Sequence, residues 1–162
     1  MTIREQIIVE AKTWIGTPYC DHAGVKRAGV DCAFYPTRVY QAVGLIPKEY
    51  IPPKYSPHQW LRKGIEDRTY LGEILKYAKH EVLTRELTDA DPRPELPVIR
   101  RDPLPGDLVL YHLVESWTHG GIIVSWPSMI LHSVRLHGVV GFSADAGNVR
   151  RRARRFFDFV GD

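Results

Sequence analysis

Two neighbouring stretches decide the fold: His119-Gly120-Gly121-Ile122-Ile123-Val124 and Met129-Ile130-Leu131-His132. Each reads as a β-strand, and Trp126-Pro127-Ser128 between them reads as the turn of an antiparallel pair. Upstream, a Pro105-Gly106 turn signal precedes Asp107-Leu108-Val109-Leu110-Tyr111, a third strand. Residues 138–142 and 154–160 are further strand candidates. The last third of the chain is therefore β-rich.

The first third reads differently. Ile3, Ile7, Ile8, Ala11, Trp14 and Ile15 recur at helical spacing, and Thr2 followed by Glu5 has the pattern of a capping box. Gly16-Thr17-Pro18 ends that helix. A second helix is expected over about 32–43, with Phe34, Val39, Tyr40 and Val43 on its apolar face, Asp31 as N-cap and Gly44 as stop. Pro36 conflicts with a regular first turn, because it deletes a backbone donor and clashes with the carbonyl four residues earlier. Either that turn is loose or the helix starts later. Residues 46–58 carry Pro47, Pro52, Pro53 and Pro57 and are expected to form a loop ordered by Tyr50, Tyr55 and Trp60. A third helix is expected over about 68–79, with Leu71, Ile74, Leu75 and Ala78 on one face.

Helices first and antiparallel strands afterwards define an α+β architecture, with an N-terminal helical half packed on a C-terminal antiparallel sheet. The 162 residues suit one domain. Its expected parts are a helical half over about 1–87, a Pro-rich connector over 88–105 and a β half over 106–162. The connector holds Pro92, Pro94, Pro97, Pro103 and Pro105, and only about 55 residues follow it, near the lower limit for an independent core.

The composition, 44% hydrophobic and 25% charged, is that of an ordinary globular protein. No apolar run reaches the length of a membrane span. The start, Met1-Thr2-Ile3-Arg4-Glu5-Gln6, lacks the pattern of a signal peptide, so synthesis in the cytoplasm is expected. An export signal outside this sequence and release by lysis stand as alternatives. The net charge of +3 owes much to Arg150, Arg151, Arg152, Arg154 and Arg155. Such a cluster suits an anionic partner, but the Phe156-Phe157 run beside it reads more simply as a charged edge strand, and nucleic acid is not the expected partner.

Cys32, in Gly29-Val30-Asp31-Cys32-Ala33, sits at the expected start of the second helix. Free amides and the helix dipole there favour a thiolate, and the same amides suit an oxyanion. The competing reading is an inert buried cysteine. A thiol nucleophile needs an imidazole base, and that base needs an orienting partner. His119 and His132 offer both, provided they share a face. An even loop between their strands puts them together, with a two-residue loop pairing His132 with Gly121, whereas an odd loop without a bulge separates them. Gly120 and Gly121 are unusual in a strand and signal a close approach of another backbone or a substrate. Cys20 lies in a loop with no helix start to activate it. Cys20 and Cys32 do not make a disulfide framework. A zinc site from Cys20, His22, Cys32 and a later histidine matches none of the common spacings, so no metal and no cofactor is expected. His112 ends the preceding strand in a loop-like setting, and His58, His80 and His137 read as exposed.

The stretches Gly16-Thr17-Pro18-Tyr19, Gly29-Val30-Asp31-Cys32-Ala33, Pro105-Gly106-Asp107-Leu108-Val109, His119-Gly120-Gly121-Ile122-Ile123 and Ile130-Leu131-His132-Ser133 resemble, in order and approximate spacing, the successive motifs of the NlpC-type cysteine peptidases. The likeness spans about residues 3–142. The stretch between 46 and 100 matches poorly, and the compact form looks most like the phage-tail and gene-transfer-agent members. The resemblance implies a papain-like fold and hydrolysis of amide bonds in peptidoglycan stem peptides. It implies Cys32 as nucleophile, His119 as base and His132 as the residue that orients it. Tyr19 then helps hold the substrate or oxyanion, and Asp31 serves local structure or binds a substrate amine. It also implies a possible place among phage-tail-like proteins, delivered to the cell wall in a phage-like particle. Cys20-Asp21-His22-Ala23-Gly24 replaces the Arg-Trp-Gly-Gly-like run of many members, and Ala33 stands where serine is common. Two other readings are a tail-like assembly component with little turnover and a related thiol acyltransferase or deamidase.

Overall fold

The capping box at Thr2 forms as its residue types require. Thr2 Oγ1 accepts from the Glu5 amide at 3.2 Å, and Glu5 Oε2 accepts from the Thr2 amide at 2.7 Å. It opens helix α1, Ile3–Lys12. The computed structural model describes residues 1–54, 68–113 and 116–162, apart from the Asn148 side chain. Two short antiparallel strands follow, β1 (Gly24–Val25) and β2 (Gly29–Val30). Helix α2 is Phe34–Ala42, a later start than the apolar pattern suggested, as Pro36 had warned. Helix α3, Thr69–Leu75, is shorter than expected but buries Leu71 and Ile74 as foreseen. The loop after α2 is held by Gln41, whose amide donates to the carbonyls of Pro47, Lys48 and Tyr50. Tyr55, Pro57, His58 and Trp60 lie outside the described residues.

The strands are β3 (His80–Leu83), β4 (Val98–Arg100), β5 (Leu108–Leu113), β6 (Ser116–Ser125), β7 (Met129–Val134), β8 (Gly138–Phe142) and β9 (Arg154–Asp158). They form one seven-stranded sheet in the order β4-β3-β9-β5-β6-β7-β8. The α+β class holds, but the sheet is mixed rather than antiparallel, because β3 and β4 run parallel. β3 lies inside the expected helical half, and β4 lies inside the expected connector. Prolines at 97 and 103 flank Val98–Arg100, which leaves a short window with every backbone donor present. A run that short shows no periodicity to read.

Period-two alternation divides the core. Leu108 and Leu110 join α1, α2 and α3 residues on one face, while Val109 and Tyr111 pack with Val82, Ile123, Ile130 and Phe156 on the other. β9 is an interior strand between β3 and β5, not an edge. Arg155 is accordingly buried, with Nε and Nη2 each 2.7 Å from the Glu81 carboxylate. The charged edge strand expected here is thus replaced by an interior one: of the basic cluster only Arg150, Arg151 and Arg152, ahead of β9, face solvent, and Arg154 is half-buried over the Trp126 ring.

A second buried charge network joins α1 to the sheet. Asp107 and Asp158 are fully buried. Arg4 reaches both, with Nη1 2.9 Å from Asp107 and Nη2 2.9 Å from Asp158. Arg101 donates to Asp107 at 2.6 Å, and the Leu104 amide donates to it at 2.8 Å. His80 lies 3.2 Å from Asp158, whose carboxylate also accepts the Val160 and Gly161 amides. Two cations around two carboxylates leave no charge stranded. Removing one carboxylate does, and breaking such a buried pair costs about 3–5 kcal/mol. Asp107→Ala is therefore expected to lower the unfolding free energy in urea by about that much, whereas Asp162→Ala at the exposed end of the same network should cost under about 1 kcal/mol.

Candidate active site

Asp31 holds the turn that carries Cys32. It is fully buried, and Oδ1 accepts from the Ala33 amide at 2.9 Å and the Phe34 amide at 2.7 Å. Oδ2 accepts from the His22 amide at 2.8 Å, and the Asp31 carbonyl accepts from the Tyr35 amide at 3.0 Å. This is the chemistry of an N-cap, delivered to the turn that carries Cys32. Of the two roles the resemblance implied for Asp31, the geometry fits local structure, since a carboxylate with no exposed surface does not meet a substrate amine. The next carbonyl in the ladder, that of Cys32, would take its bond from residue 36. Residue 36 is proline, and Tyr70 Oη from α3 donates to the Cys32 carbonyl instead, at 2.9 Å.

Strand β6 supplies the other half of the site and carries two irregularities. Tyr111 pairs with His119 and His112 with Trp117, so Thr118 is an extra residue on β6. The Cys32 thiol donates to the Thr118 carbonyl at 3.5 Å, and the Gly120 amide lies near enough to favour the thiolate. The sulfur thus rests on the backbone either side of His119. Further along, Ile123 pairs with Ile130 but Ser125 with Met129, so Val124 is also extra. The connecting loop has three residues, an odd number that alone would separate the histidines. The bulge restores parity. Continuing the Ile122–Leu131 pairing by one step sets Gly121 opposite His132. His119 Nε2 and His132 Nδ1 are then 2.7 Å apart.

The glycines of this strand have steric reasons. A Cβ at Gly120 would fall 2.3 Å from Tyr70 Oη, and one at Gly121 would fall 2.7 Å from Ile130 Cγ2. The close approach expected at Gly120 is thus a side chain, Tyr70, which the sequence reading did not single out. Its signals were Pro36, which orphans a carbonyl, and Gly120, which makes room. Neither signal names the partner 38 residues away from Cys32.

Electrostatics reverse one expectation. Burial pushes the Cys32 thiol up to about 12, and the Asp31 carboxylate adds to the rise. The Gly120 amide and the residue's own amide pull the other way without overcoming it. Burial lowers His119 to about 4, and burial together with His119 lowers His132 to about 3. All three groups are neutral at pH 7. A helix start alone does not ionise a thiol so largely shielded from water. The tautomers follow. For Nδ1 of His119 to take a proton, Nε2 must carry one and donate it to His132 Nδ1, which places the His132 proton on Nε2. That Nε2 is buried without a hydrogen-bond partner among the described residues, and the Phe142 ring stands edge-to-face with His132 at 5.0 Å.

Tyr19 bridges to Val30, and its hydroxyl donates to Asp21 at 2.9 Å. Burial, then Cys32, hold this phenol protonated far above its ordinary range. Cys20 is exposed and not disulfide-bonded. His112 lies near the end of β5, as expected, with its ring against Trp117, whereas His80 is engaged by Asp158 and is not the exposed residue expected. Among the described residues no three His, Cys, Asp or Glu side chains are gathered as a metal site would need.

The fold is that of the NlpC/p60 domains. The NlpC/p60 domain of the peptidoglycan hydrolase SagA superposes with a TM-score of 0.54 at 16% identity, over 94% of this chain and 96% of that one. An NlpC/P60 family protein from Bacillus cereus ATCC 10987 superposes with a TM-score of 0.51, also at 16% identity, over 94% of this chain but only 39% of that one. No family model and no curated protein matches the chain.

Two buried neutral imidazoles make stability depend on pH. Both have folded pKa values below the ordinary value near 6.5. The unfolded chain therefore binds more protons than the folded one as pH falls from 6.5 towards 4. Their contribution is present above pH 6.5 and lost below it. The urea midpoint of the wild type is expected to fall between pH 6.5 and 5, and His132→Gln should flatten that fall. Equal falls in the two proteins would mean that other groups dominate.

Proposed function

We propose that this chain is a cysteine peptidase that hydrolyses amide bonds in peptidoglycan stem peptides. The observation that carries the reading is the His119–His132 pair at 2.7 Å, with the Cys32 sulfur against the two backbone neighbours of His119. The substrate class rests on the motif order and on the hydrolase named in the superposed structure.

His132 fixes the tautomer that leaves His119 Nδ1 as acceptor. Cys32 gives its proton to that nitrogen as the sulfur forms a bond to the substrate carbonyl carbon. Because the resting groups are neutral, the ion pair arises during attack rather than before it. The Cys32 amide donates to the developing oxyanion, and Tyr19 is the side-chain candidate for the second donor. Collapse breaks the C–N bond, and His119 returns the proton to the departing amine. Water, deprotonated by His119, then attacks the thioester, releasing the carboxylic acid and restoring the thiol. Asp31 acts only through the turn it caps.

Digestion of defined muropeptides, read by mass spectrometry, tests the reading. Cys32→Ala is expected to abolish cleavage with the fold retained, and His119→Ala to lower kcat by about 10²- to 10⁴-fold. Cleavage by Cys32→Ala near the wild-type rate rules out the nucleophile. Products in which the acyl group has passed to an added amine rather than to water assign the chain to acyl transfer.

A further inference from the structure

Tyr70 belongs to neither of the elements that carry the Cys and His residues, yet it touches both. The Cys32–Ala33 peptide unit is gripped at its two ends. Asp31 Oδ1 holds the Ala33 amide at 2.9 Å, and Tyr70 Oη donates to the Cys32 carbonyl at 2.9 Å. Fixing that plane fixes the Cα–C bond of Cys32 and leaves one torsion on that side, ψ, to set where its Cα–Cβ bond points. An ordinary helix would satisfy the carbonyl from within, through the amide four residues on. Pro36 has none, so the bond must come from outside α2. The same phenol lies over Gly120, where only a hydrogen fits. Gly120 follows His119, and the Cys32 thiol donates to the carbonyl of Thr118 on the other side of that histidine at 3.5 Å.

We propose that the Tyr70 hydroxyl is a positioning residue that sets Cys32 against the His119 strand for proton transfer. This rests on the thiol-hydrolase reading, but its effect can be read without any substrate. One phenol ties the start of α2 to β6, so the spacing of thiol and imidazole is fixed by a side chain on α3. Without the hydroxyl the Cys32 carbonyl keeps no donor among the described residues, the peptide plane is held only at the Ala33 amide, and the sulfur's register on His119 is loosened. The ring itself still packs over Gly120, so Tyr70→Phe removes the hydrogen bond and little else. Loss of such geometry acts on the reacting step more than on binding.

The test is iodoacetamide labelling at pH 7, followed at each cysteine by peptide mass spectrometry, on the wild type, Tyr70→Phe and His119→Ala. Exposed Cys20 is the internal reference. The expected result is a fall of more than threefold at Cys32 in Tyr70→Phe, towards the His119→Ala rate, with Cys20 unchanged and the melting temperature within a few degrees of wild type. On muropeptides the same variant should lose kcat at least tenfold with KM within about twofold. A Cys32 rate within threefold of wild type, or a faster one, overturns the proposal. So does a large drop in melting temperature with both cysteines labelling faster, which would make the hydroxyl a support of the fold. If the labelling falls as stated but no muropeptide is cut by the wild type, the hydrolase reading fails and the positioning role stands.

Discussion

The site depends on register. A β-ladder turns a shift of one residue into a change of face, so His119 and His132 meet only if the count between them comes out right. The three-residue turn between β6 and β7 has the wrong parity, and the extra residue at Val124 corrects it. The second extra residue, Thr118, frees a carbonyl beside the sulfur at the start of the same strand. His119 is thus bracketed by two departures from regular pairing. Such irregularities in a strand otherwise paired on both sides re-aim groups that a flat ladder would hold in line.

Around that strand burial opposes charge on the thiol and the imidazoles, and the paired charges lie elsewhere. Arg4, Arg101, Asp107 and Asp158 neutralise one another where α1 meets the sheet, and Arg155 and Glu81 do so within it. The thiol and both imidazoles, by contrast, lie where burial opposes ionisation. Burial thus favours the neutral form of all three groups.

Much of this was readable from the chain because it rests on local patterns. The capping box at Thr2, the α1 and α3 apolar faces and five of the seven sheet strands follow from spacing, and the meeting of His119 with His132 is one of the outcomes that strand parity allowed. What was missed has non-local causes. β4 is three residues long and owes its existence to a parallel neighbour. β9 looked like an edge because its arginines are charged, yet the carboxylate that permits Arg155 to be buried lies 74 residues away. Pro36 and Gly120 each marked a vacancy that Tyr70 fills, but neither encodes which side chain arrives. The thiol's acidity was misjudged because a helix start is visible in sequence and solvent exclusion is not.

One edge of the sheet ends at β8, and there the chain protects itself. The Gly16 amide donates to the Val139 carbonyl, and the Val139 amide donates to the Thr17 carbonyl, both at 2.9 Å. Gly138, at φ +67°, makes room, since a Cβ there would fall 2.1 Å from the Thr17 carbonyl oxygen. The segment after α1 therefore acts as a selvedge on a border some 120 residues distant in sequence. Residues 16 and 17 leave the ribosome long before β8 does, so the hem is already at hand when this border forms, and the border is not left open to other molecules.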